Sequence, residues 1–203
     1  MFTRKLNAFA VASAALLFCA APALAQQTGT EQTAPHHRSS MQSSTNNKMS
    51  DEMFAKEAAR GGIAEVKLGQ LAEDKGQSDA VKDFGKRMVA DHSKANDQLQ
   101  SAASQINLQL PTEPSRMDQE QYTKLSKLSG KAFDRAYARD MLKDHEKDVA
   151  AFRHEAKYGK NQDIKTFASL TLPTLEDHLK QARQMYHSVE GGGTKTTGGS
   201  SQR

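Results

Sequence analysis

Apolar residues recur at alternating steps of three and four over most of residues 51–188, the spacing that gathers them on one face of an α-helix. The first stripe runs Phe54, Ala58, Gly61, Glu65, Leu68, Ala72, with Ser50 as a favourable N-cap, Asp51 and Glu52 complementing the dipole in the first turn, and Gly76 as a stop. The second stripe, opening at Gly76 or Ser78, carries Val81, Phe84, Met88, His92, Ala95, Leu99, Ala102 and Ile106. It ends in LQLPTEPS, where Pro111 and Pro114 cannot continue a helix. Residues 116–130 read as a shorter helix broken at Gly130. The third long stripe holds Phe133, Tyr137, Met141, His145, Val149, Phe152 and Ala156 and stops near Gly159. The fourth holds Ile164, Phe167, Ala168, Leu172, Leu175, His178, Ala182 and Met185, with Pro173 as an internal kink or break. No segment of useful length alternates with the period of a strand. The pattern predicts an all-α four-helix bundle with an extra short helix between the second and third long ones. Gly61, Gly62 and Gly69 each cost the first helix about 1 kcal/mol against alanine, and close approach of a neighbouring helix is the expected return.

The ends of the chain read differently. Residues 1–25 have a short basic start at Arg4 and Lys5, an apolar run from about Leu6 to Ala21, and the small-x-small pattern Ala23-Leu24-Ala25, which together predict a cleaved signal peptide. A lipidated Cys19 is disfavoured because bulky Phe18 precedes it, and the apolar run is short for a membrane span. Cleavage after Ala25 removes the single cysteine, so the mature chain has neither disulfide nor thiolate chemistry. It also removes two of the 28 basic residues, leaving 26 against 24 acids and a net charge of +2, which gives no reason to invoke nucleic acid. Residues 26–50 and 189–203 are polar or Gly/Ser/Thr-rich and read as disordered tails, with His36-His37 as solvated residues of the first. One domain remains, 51–188, long enough for a single core. The expected compartment is the periplasm, with secretion or association with the outer membrane as alternatives.

Ionisable rings on apolar stripes are the feature that bears on chemistry. Met88 and His92 in MVADH are spaced like Met141 and His145 in MLKDH, and a third Asp-His pair, Asp177-His178, closes LPTLEDH. At 1.5 Å per residue His92 stands about 24 Å from the first turn, and His145 and His178 about 22 and 27 Å from the turn near residue 160. All three therefore fall at mid-bundle, while Glu65, about 16 Å from the first turn, is displaced by about one helical turn. Three imidazoles at one level could hold zinc or copper(II), and Met88 or Met141 would favour copper(I). Asp91, Asp144 and Asp177 could orient those rings from neighbouring helices. The competing reading is a hydrogen-bonded polar layer of histidines and carboxylates that fixes helix register without any metal. His154 and His187 fall off the stripes. Ser93 lies on a different face from His92, and no phosphate loop or nucleophile elbow is present.

The segments FAKEAARGGIAEVKLGQLAEDKGQSDAVKDFGKRMVADHSKANDQL, LSGKAFDRAYARDMLKDHEKDVAAF and FASLTLPTLEDHLKQA, through GG-x-x-EV-x-LG, MV-x-DH and LP-x-L-x-x-HL, resemble the bacterial domain of unknown function 4142 family. The resemblance covers residues 51–187 and implies an exported protein with a ferritin-like bundle; it implies no activity. Di-iron members of the ferritin-like class use Glu-x-x-His pairs, whereas Val89, Leu142 and Leu175 stand three residues before the three histidines, which argues against a di-iron centre. Three functions stay open. The first is a non-enzymatic binding or envelope stress-related protein, acting by binding a partner or by self-association. The second is a copper- or zinc-binding protein using His92, His145 and His178, and an enzyme is the third and least supported.

Overall fold

The computed structural model describes residues 38–191, with side chains from residue 51 onward. The leader 1–25, the His36-His37 pair, the rest of 26–37 and the tail 192–203 lie outside the described residues. Five helices follow in order: α1 (Arg38–Lys75), α2 (Asp79–Gln105), α3 (Arg116–Ser126), α4 (Gly130–Tyr158) and α5 (Gln162–Gly191). Among the described residues there is no strand.

Two boundaries differ from expectation. The backbone is already helical from Arg38, so Ser50 lies inside α1 instead of capping it, and α5 runs on to Gly191. Extending an existing helix adds one hydrogen bond per residue fixed and needs no new nucleus, so packed segments can carry polar extensions. Pro173 neither ends nor interrupts α5; it sits on the exposed side, where the carbonyl it leaves free can turn to water.

The direction of each helix follows from two apolar clusters. The upper cluster takes Leu68 and Leu71 late in α1, Val81 and Phe84 early in α2, Phe133 and Tyr137 early in α4, and Met185 late in α5. The lower one takes Ala55 and Ala59, Leu99 and Ala103, Val149 and Phe152, and Ile164 and Phe167 from the opposite ends of the same helices. Thus α1 and α5 run upward while α2 and α4 run downward. Packing is between α1 and α2, α2 and α5, α5 and α4, and α4 and α1. Since α2 ends at the bottom and α4 starts at the top, the connection between them climbs the whole bundle. The short helix α3 is part of that crossover and lies on α1 and α4, held by its buried Leu125 and by a capping box between Ser115 and Asp118.

Two aspartates fasten the turns from across the bundle. Asp134, near the start of α4, accepts the backbone N–H groups of Gln77 and Ser78 at 2.8 Å each, fixing the turn that leads into α2. Asp51, in α1, does the same for Lys160 and Asn161 before α5. Gly69 and Gly85 bring α1 and α2 together: a Cβ on either would stand 2.7 Å from the other's carbonyl oxygen. Gly62 faces the Asn96 side chain, whereas a Cβ on Gly61 would meet nothing within 4 Å, so close packing does not account for Gly61.

Candidate metal centre

Between the two apolar clusters lies one polar storey made by Glu65 of α1, His92 of α2, His145 of α4 and His178 of α5, each at most 5% exposed. Glu65 reaches the histidine level because Cα–Cβ bonds tilt toward a helix's N-terminus. Glu65 on upward-running α1 leans down, and His92 on downward-running α2 leans up, which closes the offset that residue counting leaves between them. Their contact is His92 Nδ1 to Glu65 Oε2 at 3.0 Å, with Glu65 Oε1 3.5 Å from His145 Nε2.

Each ring is tied on its outer side. His92 Nδ1 donates to Glu65, His145 Nδ1 donates to the Met141 carbonyl at 2.9 Å, and His178 Nε2 donates to Asp91 Oδ2 at 2.7 Å. In the neutral rings those bonds place the remaining lone pairs on His92 Nε2, His145 Nε2 and His178 Nδ1. All three nitrogens, and Glu65 Oε1, are buried without a hydrogen-bond partner; they make up four of the seven such side-chain atoms among the described residues. One ring nitrogen from each histidine lies within 4.8 Å of the others. The ring centroids are 5.3 to 6.0 Å apart.

The electrostatics follow from burial and charge. Burial alone would raise the Glu65 carboxyl, but the three neighbouring histidines outweigh it and bring it down to about 2. Burial disfavours a charged His92, yet the adjacent Glu65 carboxylate dominates and raises it. Burial and the two other rings bring His178 down to about 4 despite its Asp91 partner, so it is neutral near pH 7. The storey therefore holds a fixed anion and at least one neutral imidazole with an unshared pair.

The other residues singled out by sequence are placed as follows. Asp91 accepts from His178 and from Arg87. Asp144 is instead bound by Gln121 and Lys147, and Asp177 by Arg87 and Gln181, so neither of these two carboxylates has a hydrogen bond to the ring it was expected to orient. Met88 and Met141 are fully buried in the upper cluster, one turn from His92 and His145. His154 and His187 are exposed. Arg87, which links two of the aspartates at the edge of the storey, was not anticipated; its place four residues before Asp91 was the available signal.

A family model described as Domain of unknown function (DUF4142) matches residues 36–185. No curated protein matches the chain. In structure it is similar to a DUF305 fragment from Deinococcus radiodurans, with 13% sequence identity and a TM-score of 0.59 over 70% of this chain and 96% of that one. It is also similar to a DUF305 protein from Streptomyces coelicolor whose name proposes secretion, again 13% identical, with a TM-score of 0.58 over 70% of this chain and 94% of the other. At that identity the likeness concerns the helical-bundle fold alone.

Proposed function

This chain belongs to the DUF4142 family, whose description names no activity, and from that premise we propose that it is a non-enzymatic metal-binding protein of the cell envelope. The observation that carries the reading is that three helices bring one buried ring nitrogen each to within 4.8 Å of the others, in a storey where each of the three rings has a nitrogen without a hydrogen-bond partner. Leaving buried polar atoms without partners costs about 1 to 3 kcal/mol each, and four in one storey call for a ligand that accepts them all. A cation does. Histidine ligands commonly donate their other ring nitrogen to a carboxylate or carbonyl, which is the role of Glu65, Met141 and Asp91 here. Tetrahedral zinc with bonds of 2.0–2.1 Å needs nitrogens about 3.4 Å apart, so nitrogens as much as 4.8 Å apart would close by up to about 1.4 Å on binding. Imidazole donors suit zinc or copper(II), with Glu65 Oε1 at hand as a fourth ligand. Copper(I) would require Met88 or Met141 to swing down from the apolar cluster. Export through the leader, residues 1–25, completes the reading.

The outer hydrogen bonds of the three rings also favour a second reading, a register-fixing polar layer. Calorimetric titration of zinc and copper into residues 26–203, with the His92→Ala, His145→Ala, His178→Ala triple variant as control, separates the two. Metal binding gives a one-to-one isotherm that the triple variant abolishes. Absence of binding, with the variant only less stable, leaves the register layer. The large apolar side chains with the highest exposure, Met53, Met117, Tyr122, Tyr158 and Leu170, are spread over four helices and offer no argument for a protein partner.

A further inference from the structure

If the storey holds a metal, the ion has to reach a point enclosed by apolar clusters above and below. A cavity of about 540 Å³ lies between α1 and α4 beneath α3, and its lining runs from exposed Glu57 and Arg116 to buried Glu65 and His92. Asp144 and Asp148 of α4 are on its wall. Glu65 is oriented for transfer: its side chain is 6% exposed, Oε2 is on His92, and Oε1 has no partner and stands 3.5 Å from His145 Nε2. On the opposite side, next to half-exposed Asp91, the Arg87 guanidinium bonds Asp91 at 3.1 Å and Asp177 at 2.8 Å and occupies the approach.

We propose that the cavity beneath α3 is the passage by which a divalent transition-metal ion enters, and that Glu65 at its floor receives the ion and passes it to the histidines. This rests on the metal-binding reading. Gly61 provides the means of testing it, because it lines the cavity and a Cβ there meets nothing within 4 Å. The backbone there accepts a Cβ without displacing a neighbour, so a longer side chain can be introduced into the passage from that point. Ala151, exposed on α4 and also on the wall, gives a second site if the first variant folds poorly.

The experiment is stopped-flow absorption with cobalt(II), preceded by equilibrium titration with the same ion. Gly61→Met and Ala151→Met are each expected to slow association and dissociation by about tenfold while Kd stays within about twofold, because blocking a path changes rates and not end states. Wild-type rates in both variants would overturn the passage while leaving the metal site intact. No cobalt binding at equilibrium would overturn the metal reading itself, and this proposal with it.

Discussion

His178 is the residue whose charge state the fold controls most plainly. Its folded value of about 4 lies below the ordinary 6.5, so the unfolded chain binds a proton there more readily than the native one. The stability gained from keeping it neutral is complete above pH 6.5 and is lost as pH falls toward 4. Metal-free wild type should lose up to about 3 kcal/mol relative to His178→Gln across that window, read from urea unfolding at several pH values; parallel pH profiles would refute the assignment. Glu65 acts in a lower window, its contribution being present above 4.5 and disappearing as pH drops toward 2. The three histidines were legible because each breaks an otherwise apolar stripe. The contact of Glu65 with two of them was not, since counting residues along an axis ignores the opposed lean of side chains on antiparallel helices.

At the scale of the helices, the 3.6-residue spacing located all five, and Gly130, with φ of +57°, marks the break before α4 that its residue type announced. The same spacing blurred at the lower end of α1, where Ala55 and Ala59 are buried and the expected Phe54 and Ala58 are only half-buried. What holds the turns was hidden, because Asp134 and Gln77 are 57 residues apart and Asp51 and Asn161 are 110 apart. Asp134→Ala strips two backbone donors of a charged acceptor and should cost about 3 kcal/mol in urea unfolding, with Asp134→Asn falling between. A loss under about 0.5 kcal/mol, the range of an ordinary surface substitution, would show that water replaces the carboxylate.

For the molecule as a whole, the fold class was readable from the stripes, but the route from α2 to α4 was not: residues 106–129 are compatible with a short hop or a long climb, and only the shared ends of the apolar clusters decide. The polar storey divides the core into two apolar halves, and a fold seeking stability alone would close that gap. Replacing Glu65, His92, His145 and His178 together by Leu should leave the metal-free protein as stable or more so, by about 1 to 4 kcal/mol, while abolishing metal uptake. Lower stability, or a broadened thermal transition, would mean that the storey sets the register. The crossover carries one more consequence. Because α1 starts at the bottom and α5 ends at the top, the ends of the bundle lie at opposite poles, unlike the neighbouring termini common in single domains. A circular permutant joining them would need a linker spanning the length of α5, about 45 Å, or roughly 13 fully extended residues, before the helical extension below residue 51 is counted. A short loop of the kind that permutes most small domains would have to pull one helix off the bundle.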